Sequence, residues 1–370
     1  MTAEPVPDAL PQATVAVVIR TKNRPLFLTR ALDSVLAQTY EDWVGIVVND
    51  VGDHDSVDAA VAAVANRAHG RFHVVHNSVS RGREAAMNTG IHASSSTFVV
   101  IHDDDDSWAP TFLQETVGYL QEHKVSGVAT RTEVVYEHIE DGVIVIERRE
   151  LLATDKHDLT LLDMIGRNYA PPISVLYRRE IHDDIGDYDE SLPVLADWDF
   201  MLRLLGRFDM GYIDGPPLAF WHHRPTSVGD EGNSSLAGRE EHVRWDGLIR
   251  DRYLRADLDR QGGLGYLLYL SEVLDRDRKI AAVRGGHLAG LIEDMARSTR
   301  ERDEEILRQL AELNTNMVSQ NNRLVAQFDR LAHRVEELYH AVRARSARAR
   351  IDRARHAAAD GLRRATGKSD

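Results

Sequence analysis

Short β-branched runs alternate with helically spaced apolar residues through the first hundred positions, and this alternation constrains the fold more than any other feature of the chain. ATVAVVIRT (13–21), WVGIVVND (43–50), FHVVHN (72–77) and TFVVIHD (97–103) read as strands. Between them lie PLFLTRALDSVLAQ, SVDAAVAAVANRA and REAAMNTGIHAS, which read as helices. In the first of these, Leu26, Leu28, Leu32, Val35 and Leu36 form an apolar stripe behind a proline at the helix start. Strands separated by crossover helices make a parallel sheet covered on both faces, so the expected class is α/β, with a doubly wound βαβαβαβ layout.

Such sheets bind ligands outside the carboxyl ends of their strands. The polar residues at those ends are Arg20, Thr21, Asn23 and Arg24 after the first strand and Asn49 and Asp50 after the second. Asn77 follows the third strand, and Asp103, Asp104, Asp105 and Asp106 follow the fourth. Four adjacent carboxylates repel one another, and a hard divalent cation, which takes oxygen ligands and bridges to phosphate, would neutralise them. Asp103 and Asp105 point the same way if the strand stays extended. The alternative is a solvated acidic turn.

Composition narrows the function classes. With 45 Lys and Arg against 59 Asp and Glu, the net charge of −14 disfavours a nucleic-acid partner. No cysteine is present, so disulfides and thiolate metal sites are excluded and any metal must use carboxylate or imidazole. Residues 1–13 lack the pattern of a signal peptide, and no run reaches the roughly 18 apolar residues of a membrane span. The chain is therefore expected in the cytoplasm.

Taken in order, VVIRTKNRPLFLTRALDSVLAQTY, VVND, REAAMNTGI and VVIHDDDDSW resemble the family 2 glycosyltransferases with the nucleotide-diphospho-sugar GT-A fold. The resemblance continues through PPISVLYRREIHDDIGDYDESLPVLADWDFMLRLL and AFWHHRPTSVGDEGNS, covers about residues 12–235, and is nearest to bacterial enzymes that build cell-surface polysaccharides. It implies transfer of a sugar from a nucleotide-sugar donor to a glycan or lipid-linked glycan acceptor, with inversion and a divalent metal, Mn²⁺ or Mg²⁺, as in O-antigen or capsule synthesis. Thr21 and Asp50 match the family's positions at the nucleotide base and ribose, with Asn23 and Arg24 beside them. Arg81 and Arg83 both lie near the place of its nucleotide-binding basic residue. Asp103 and Asp105 match its Asp-any-Asp motif, Asp103 reaching the nucleotide and both reaching the metal, whereas Asp104 and Asp106 are neighbours and Trp108 is packing. Of the two histidines in WHHRP, which alternate faces, His223 is taken as the further metal ligand.

Asp197 in LADWDF resembles the family's catalytic base. The other reading is a cap for the helix that follows, while Asp199 and Arg203 read as an ion pair on one face of that helix. The sequence departs from the family pattern at Arg20, usually proline, at Asn49, usually aspartate, and at Ala196, often acidic. Two other classes compete: a coiled-coil scaffold with a degenerate transferase head, and a sugar-phosphate nucleotidyltransferase. The latter needs a glycine-rich loop after the first strand, which RTKNRP lacks.

The stretch SGVATRTEVVYEHIEDGVIVIERRE (126–150) reads as two strands around the turn signal EDG, and it is expected, with MIGRNYAPP, to set acceptor specificity. Domain boundaries are expected as a flexible 1–11, a GT-A domain over 12–255, a helical extension over 256–299, a coiled coil over 300–345 and a basic tail over 346–370. Ile306, Leu310, Leu313 and Met317, then Leu324, Phe328, Leu331, Val335, Leu338 and Val342, step by four and three. This is a coiled-coil seam, with an eleven-residue step from Leu313 to Leu324 that places Asn321 near its axis. A homo-oligomer is the expectation, and a helix folded back on the catalytic unit the alternative. Arg343–Asp370 holds nine basic and three acidic residues, so the preceding 342 carry −20 of the total −14. This tail either lies on the inner face of the plasma membrane, as a peripheral contact with anionic lipid, or is a solvated helical end.

Overall fold

A computed structural model describes residues 10–225, 239–260, 264–298, 311–338 and 355–357. The chain divides into two compact units, Met1–Ile249 and Arg250–Asp370.

The first unit is built on a seven-stranded sheet. Its parallel heart comprises β1 (Val15–Thr21), β2 (Trp43–Asn49), β3 (Phe72–His76) and β4 (Phe98–Asp103), and the helices between them are α1 (Pro25–Leu36), α2 (His54–Ala63), the short α3 (Ala65–Ala68) and α4 (Arg83–His92). β5 (Ser107–Trp108) and α5 (Phe112–Glu122) follow, then β6 (Gly127–Thr130), β7 (Thr132–Glu140), β8 (Val143–Leu151), α6 (Leu161–Gly166) and a 3₁₀ turn at Pro172–Ser174. β9 (Val175–Arg178), α7 (Ile181–Ile185), α8 (Ala196–Leu205), β10 (Met210–Ile213) and β11 (Ala219–His223) complete the unit's strands. The order across the large sheet is β10-β6-β9-β4-β1-β2-β3, with β9 antiparallel to both neighbours.

Both faces of this sheet are covered, which is why β1 and β2 are apolar almost throughout. Val15, Val17 and Ile19 pack with Leu28, Leu32 and Val35 of α1 and Phe112, Leu113 and Val117 of α5. Ala16, Val44, Ile46 and Val48 face the other way, toward Ala86 of α4. Burying one such Val, Leu or Ile contributes about 1.5–3 kcal/mol. The buried face of α1 differs from the expected stripe: Phe27 is buried and Leu26 is 41% exposed. Phe27 has a specific use, since the guanidinium groups of Arg24, Arg30 and Arg224 all lie within 5.9 Å of its ring centroid.

A second, four-stranded sheet runs β5-β11-β7-β8. The EDG signal becomes the β7–β8 hairpin, whose loop residues Asp141 and Gly142 have φ of 49° and 78°. Two positive φ angles give the turn whose twist matches paired strands. β11 pairs parallel with β7 and antiparallel with β5, so it crosses the carboxyl end of β4 instead of joining the large sheet.

The second unit is described only as helices, including Leu264–Ser298 and a segment over 311–338. Among the described residues, no helix is long and apolar enough to cross a membrane. Of the expected seam, Ile306, Leu310 and Val342 lie outside the described residues. Leu313, Leu324, Leu331 and Leu338 are 41–60% exposed, whereas Val335 is buried.

Candidate active site

The carboxyl ends of β1, β2 and β4 lie side by side, and the backbone there explains how polar groups collect. β4 stops at Asp103, and the chain turns at once, Asp106 N donating to the Asp103 carbonyl at 3.1 Å. Asp103 and Asp105 therefore sit on a turn and do not alternate along an extended strand. The turn is crossed by cations. Arg20, level with Asp103 in the β1–β4 register, donates from Nε to its Oδ1 at 2.7 Å and from Nη2 to its Oδ2 at 3.1 Å. Thr21 Oγ1 donates to Asp104 Oδ2 at 2.7 Å. Arg24 Nη1 reaches Asp104 Oδ1 at 3.1 Å and Asp105 Oδ2 at 3.3 Å. Arg224 also binds the Asp105 carboxylate, and Arg30 its carbonyl.

Electrostatics separates the four aspartates. Burial raises Asp103, but the bidentate Arg20 outweighs it and holds the group below its ordinary value. Burial, then repulsion from Asp105, pushes Asp104 up to about 7. Burial and the same neighbour raise Asp106 well above the usual range, although its Oδ1 accepts from the His222 backbone N–H at 2.9 Å.

The other expected residues fall around this edge. Asp50 accepts from Asn77 Nδ2 at 3.2 Å and from Ser80 Oγ at 2.5 Å, a cradle joining β2 to β3. Asn23 Oδ1 accepts from Asp53 N at 3.0 Å, tying β1 to the loop after β2. Asn23, Val51 and Leu195 have positive φ, and Val51, which is β-branched, is the costliest of them. The two candidate arginines part company. Arg81 turns away to Glu190, whereas Arg83 donates to the Pro193 carbonyl at 2.8 Å and lies in the field of Arg20, Asp103 and Asp197.

Asp197 is in the first turn of α8, whose cap position is Leu195 with no side-chain cap bond, so the capping reading is not what is found. Its Oδ2 accepts from Asn168 Nδ2 at 2.8 Å. Loss of solvent raises its pKa, while the Trp198 amide, Arg83 and Arg20 pull the other way. Asp199 pairs with Arg203 at 2.9 Å, as expected of the helix face. Trp108 packs on Phe112 with centroids 4.4 Å apart and donates to the Ile173 carbonyl at 2.7 Å.

His222 and His223 are both buried, although only one of the two is expected inward. His222 bridges Ser107 Oγ at 2.8 Å and Glu137 at 2.6 Å. Among the described residues His223 Nε2 is buried without a hydrogen-bond partner, and burial lowers its pKa to about 4, with Asp105 acting in opposition. Among the described residues, no three His, Asp or Glu side chains gather as a closed metal site. The chemistry of the nearby donors is oxygen and imidazole nitrogen, the types a divalent cation takes, with Asp103 now paired to Arg20 and Asp105 to Arg24 and Arg224.

Sequence reasoning missed Glu137, Arg30, Arg224 and Asn168. Asn168 lies inside MIGRNYAPP, which reads as an acceptor-side segment, and Arg224 inside WHHRP, where the histidines draw the reading. For Glu137 the available signal was the broken alternation in VVYEH.

Residues 16–186 match glycosyl transferase family 2. This part of the chain is a family 2 glycosyltransferase domain. It is 29% identical over 255 residues to the uncharacterized glycosyltransferase YwdF of Bacillus subtilis, covering 68% of this chain and 85% of that one. It is 27% identical over 189 residues to the PGL/p-HBAD biosynthesis glycosyltransferase Rv2957 of Mycobacterium tuberculosis, covering 51% and 68%. Among solved structures, S. aureus TarS residues 1–349 align with a TM-score of 0.52 at 17% identity over 70% of this chain and 71% of that one. The same protein in complex with UDP-GlcNAc gives 0.50 at 18%, over 64% and 65%. These likenesses show the fold, so this glycosyltransferase has a GT-A-like α/β domain followed by helices.

Proposed function

We propose that the enzyme moves a sugar from a nucleotide-sugar donor to a glycan or lipid-linked glycan acceptor with inversion, with a divalent cation, Mn²⁺ or Mg²⁺, in bacterial surface-polysaccharide synthesis of the O-antigen or capsule type. One observation carries the reading. A partly buried carboxylate, Asp197, stands in the first turn of α8, held by Asn168 Nδ2 at 2.8 Å, within electrostatic reach of Arg20, Arg83 and Asp103.

Thr21 and Asp50, with Asn23 and Arg24, hold the nucleoside, and Arg83 stands by the diphosphate. Asp103 and Asp105, with His223 Nε2, are the groups that would hold a cation. When bound, the cation screens the charge that develops on the leaving nucleoside diphosphate. Asp197 accepts the proton of the acceptor hydroxyl as its oxygen bonds to the anomeric carbon. The bond from that carbon to the diphosphate breaks, and its electrons leave with the phosphate oxygen. A raised pKa brings the carboxylate closer to neutrality and makes it a stronger base. Asn168 fixes its orientation. The S. aureus neighbour's complex with UDP-GlcNAc supports a uridine nucleotide as the first donor to test.

Two substitutions test the reading. Asp105→Asn should lose Mn²⁺-dependent UDP binding, because an amide keeps the shape but not the charge that holds a hard cation. Asp197→Asn should keep donor binding and lose about 10²–10⁴ in transfer rate. Unchanged Mn²⁺-dependent affinity in the first variant, measured by calorimetry, sinks the metal assignment, and near-normal turnover in the second removes Asp197 as base.

A further inference from the structure

A strand with one buried face cannot bury two neighbours in succession without breaking its alternation. β7 does so at Val134 and Val135 and then buries Glu137, while its ladder to β8 slips between Tyr136 and Glu137 with the extra residue, Glu147, on β8. Val135 and Glu137 lie two apart on one face of β7, and there the carboxylate, with no exposed surface, meets a cluster of cations. Arg30 Nη1 donates to Glu137 Oε1 at 3.0 Å and Oε2 at 2.8 Å, Arg224 Nη1 to Oε1 at 2.7 Å, and His222 Nδ1 to Oε2 at 2.6 Å.

Each of these partners continues to one place. Arg224 holds the Asp105 carboxylate and Arg30 the Asp105 carbonyl. The His222 backbone N–H holds Asp106, and its ring faces Ser107 Oγ at 2.8 Å. The His222 ring spans Ser107 and Glu137, with Nδ1 donating to the Glu137 carboxylate and Nε2 facing the Ser107 hydroxyl. The row Ser107–His222–Glu137 copies the bond order of a hydrolytic triad. Two guanidinium groups share the same carboxylate, however, and weaken its support for an imidazolium, so the row fixes geometry and does not activate the serine. Stability alone does not explain the cluster, because apolar groups of similar volume usually serve a core as well as buried ion pairs do.

We propose that Glu137 is a positioning residue: through Arg30, Arg224 and His222 it holds the Asp105–Ser107 turn in the geometry that receives the donor's diphosphate. This rests on the donor-site reading above, and it assigns to the β7–β8 hairpin a role in setting that site from behind.

Glu137→Gln and Glu137→Asp in the full-length chain test it by hydrogen exchange across 103–108, Mn²⁺-dependent UDP affinity and thermal unfolding. The Gln variant should speed exchange at 103–108 while leaving β1 and β2 protected, and should weaken UDP by about 10–100-fold, the usual cost of losing an outer partner of a metal site. The Asp variant should recover part of both. If Glu137→Gln does not fold, Arg30→Met combined with it removes one positive charge with the negative one and should show the same two effects. A folded variant with wild-type exchange at 103–108, or a lowered unfolding temperature with unchanged UDP affinity, overturns the proposal. Wild-type protein that binds no UDP, with the turn still loosened by Glu137→Gln, overturns the donor reading and leaves Glu137 as the residue that positions the turn.

Discussion

Asp104 has a direct stake in pH, because its proton is held up to about 7 in the fold against an ordinary value of 3.8. The sign follows from proton binding. Between those values the folded chain keeps the proton and the unfolded chain has lost it, so this residue's contribution to stability falls as pH rises through that window. Each unit of difference is worth about 1.4 kcal/mol. Asp104→Asn removes the titration. Its stability relative to wild type should therefore climb from pH 4 to pH 7 and level off above, as urea unfolding at each pH will show. A constant difference across that range would mean that Arg24 and Thr21 keep Asp104 ionised. The aspartates were legible as a group, because a run of four behind an apolar strand has few structural uses. Their division of labour was not, since it depends on Arg20, Arg24, Arg30 and Arg224, which meet them from distant parts of the chain.

Hydrophobic periodicity placed β1 to β4 and their helices because both faces of that sheet are buried, leaving little choice of side for an apolar residue. Where one face only is buried, the reading slipped: Phe27 replaced Leu26 in the core of α1, and β11 entered a second sheet, which no local pattern marks. Helical glycines show how packing overrides local preference. Gly90 of α4 lies against the sheet, where a Cβ would meet Val18 Cγ1 at 2.3 Å and Val48 Cγ2 at 3.0 Å. Gly118 of α5 has nothing within 4 Å of the same position. Alanine gains about 0.8–1.0 kcal/mol over glycine in a helix interior, while overpacking a core costs about 1–3 kcal/mol. Gly118→Ala should therefore stabilise the protein, and Gly90→Ala should destabilise it by about 1 kcal/mol or more. Denaturant midpoints of the two variants should move in opposite directions. A stabilising Gly90→Ala would mean that α4 rides farther from β1 than these distances imply.

At the scale of the whole chain, we propose that catalysis belongs to residues before about 255 and association to the segment over 300–345. The charge asymmetry of the sequence supports this division, with the basic tail beyond it as a candidate for contact with anionic lipid. So do the four seam leucines, Leu313, Leu324, Leu331 and Leu338, which stay 41–60% exposed. A second copy would cover such a row by knobs-into-holes packing, and at about 25 cal/mol per Å² the gain from covering it is substantial. Buried Val335 marks where the alternative, packing within the same chain, begins to compete. Ending the chain after Ser298 removes the seam and none of the residues assigned to donor, metal or base. The shortened protein should be monomeric by light scattering at micromolar concentration, where the full chain is oligomeric, and should retain Mn²⁺-dependent UDP binding. A full-length monomer would turn the seam inward and end the oligomer proposal. Loss of cooperative unfolding in the shortened protein would instead make the later helices part of the catalytic core.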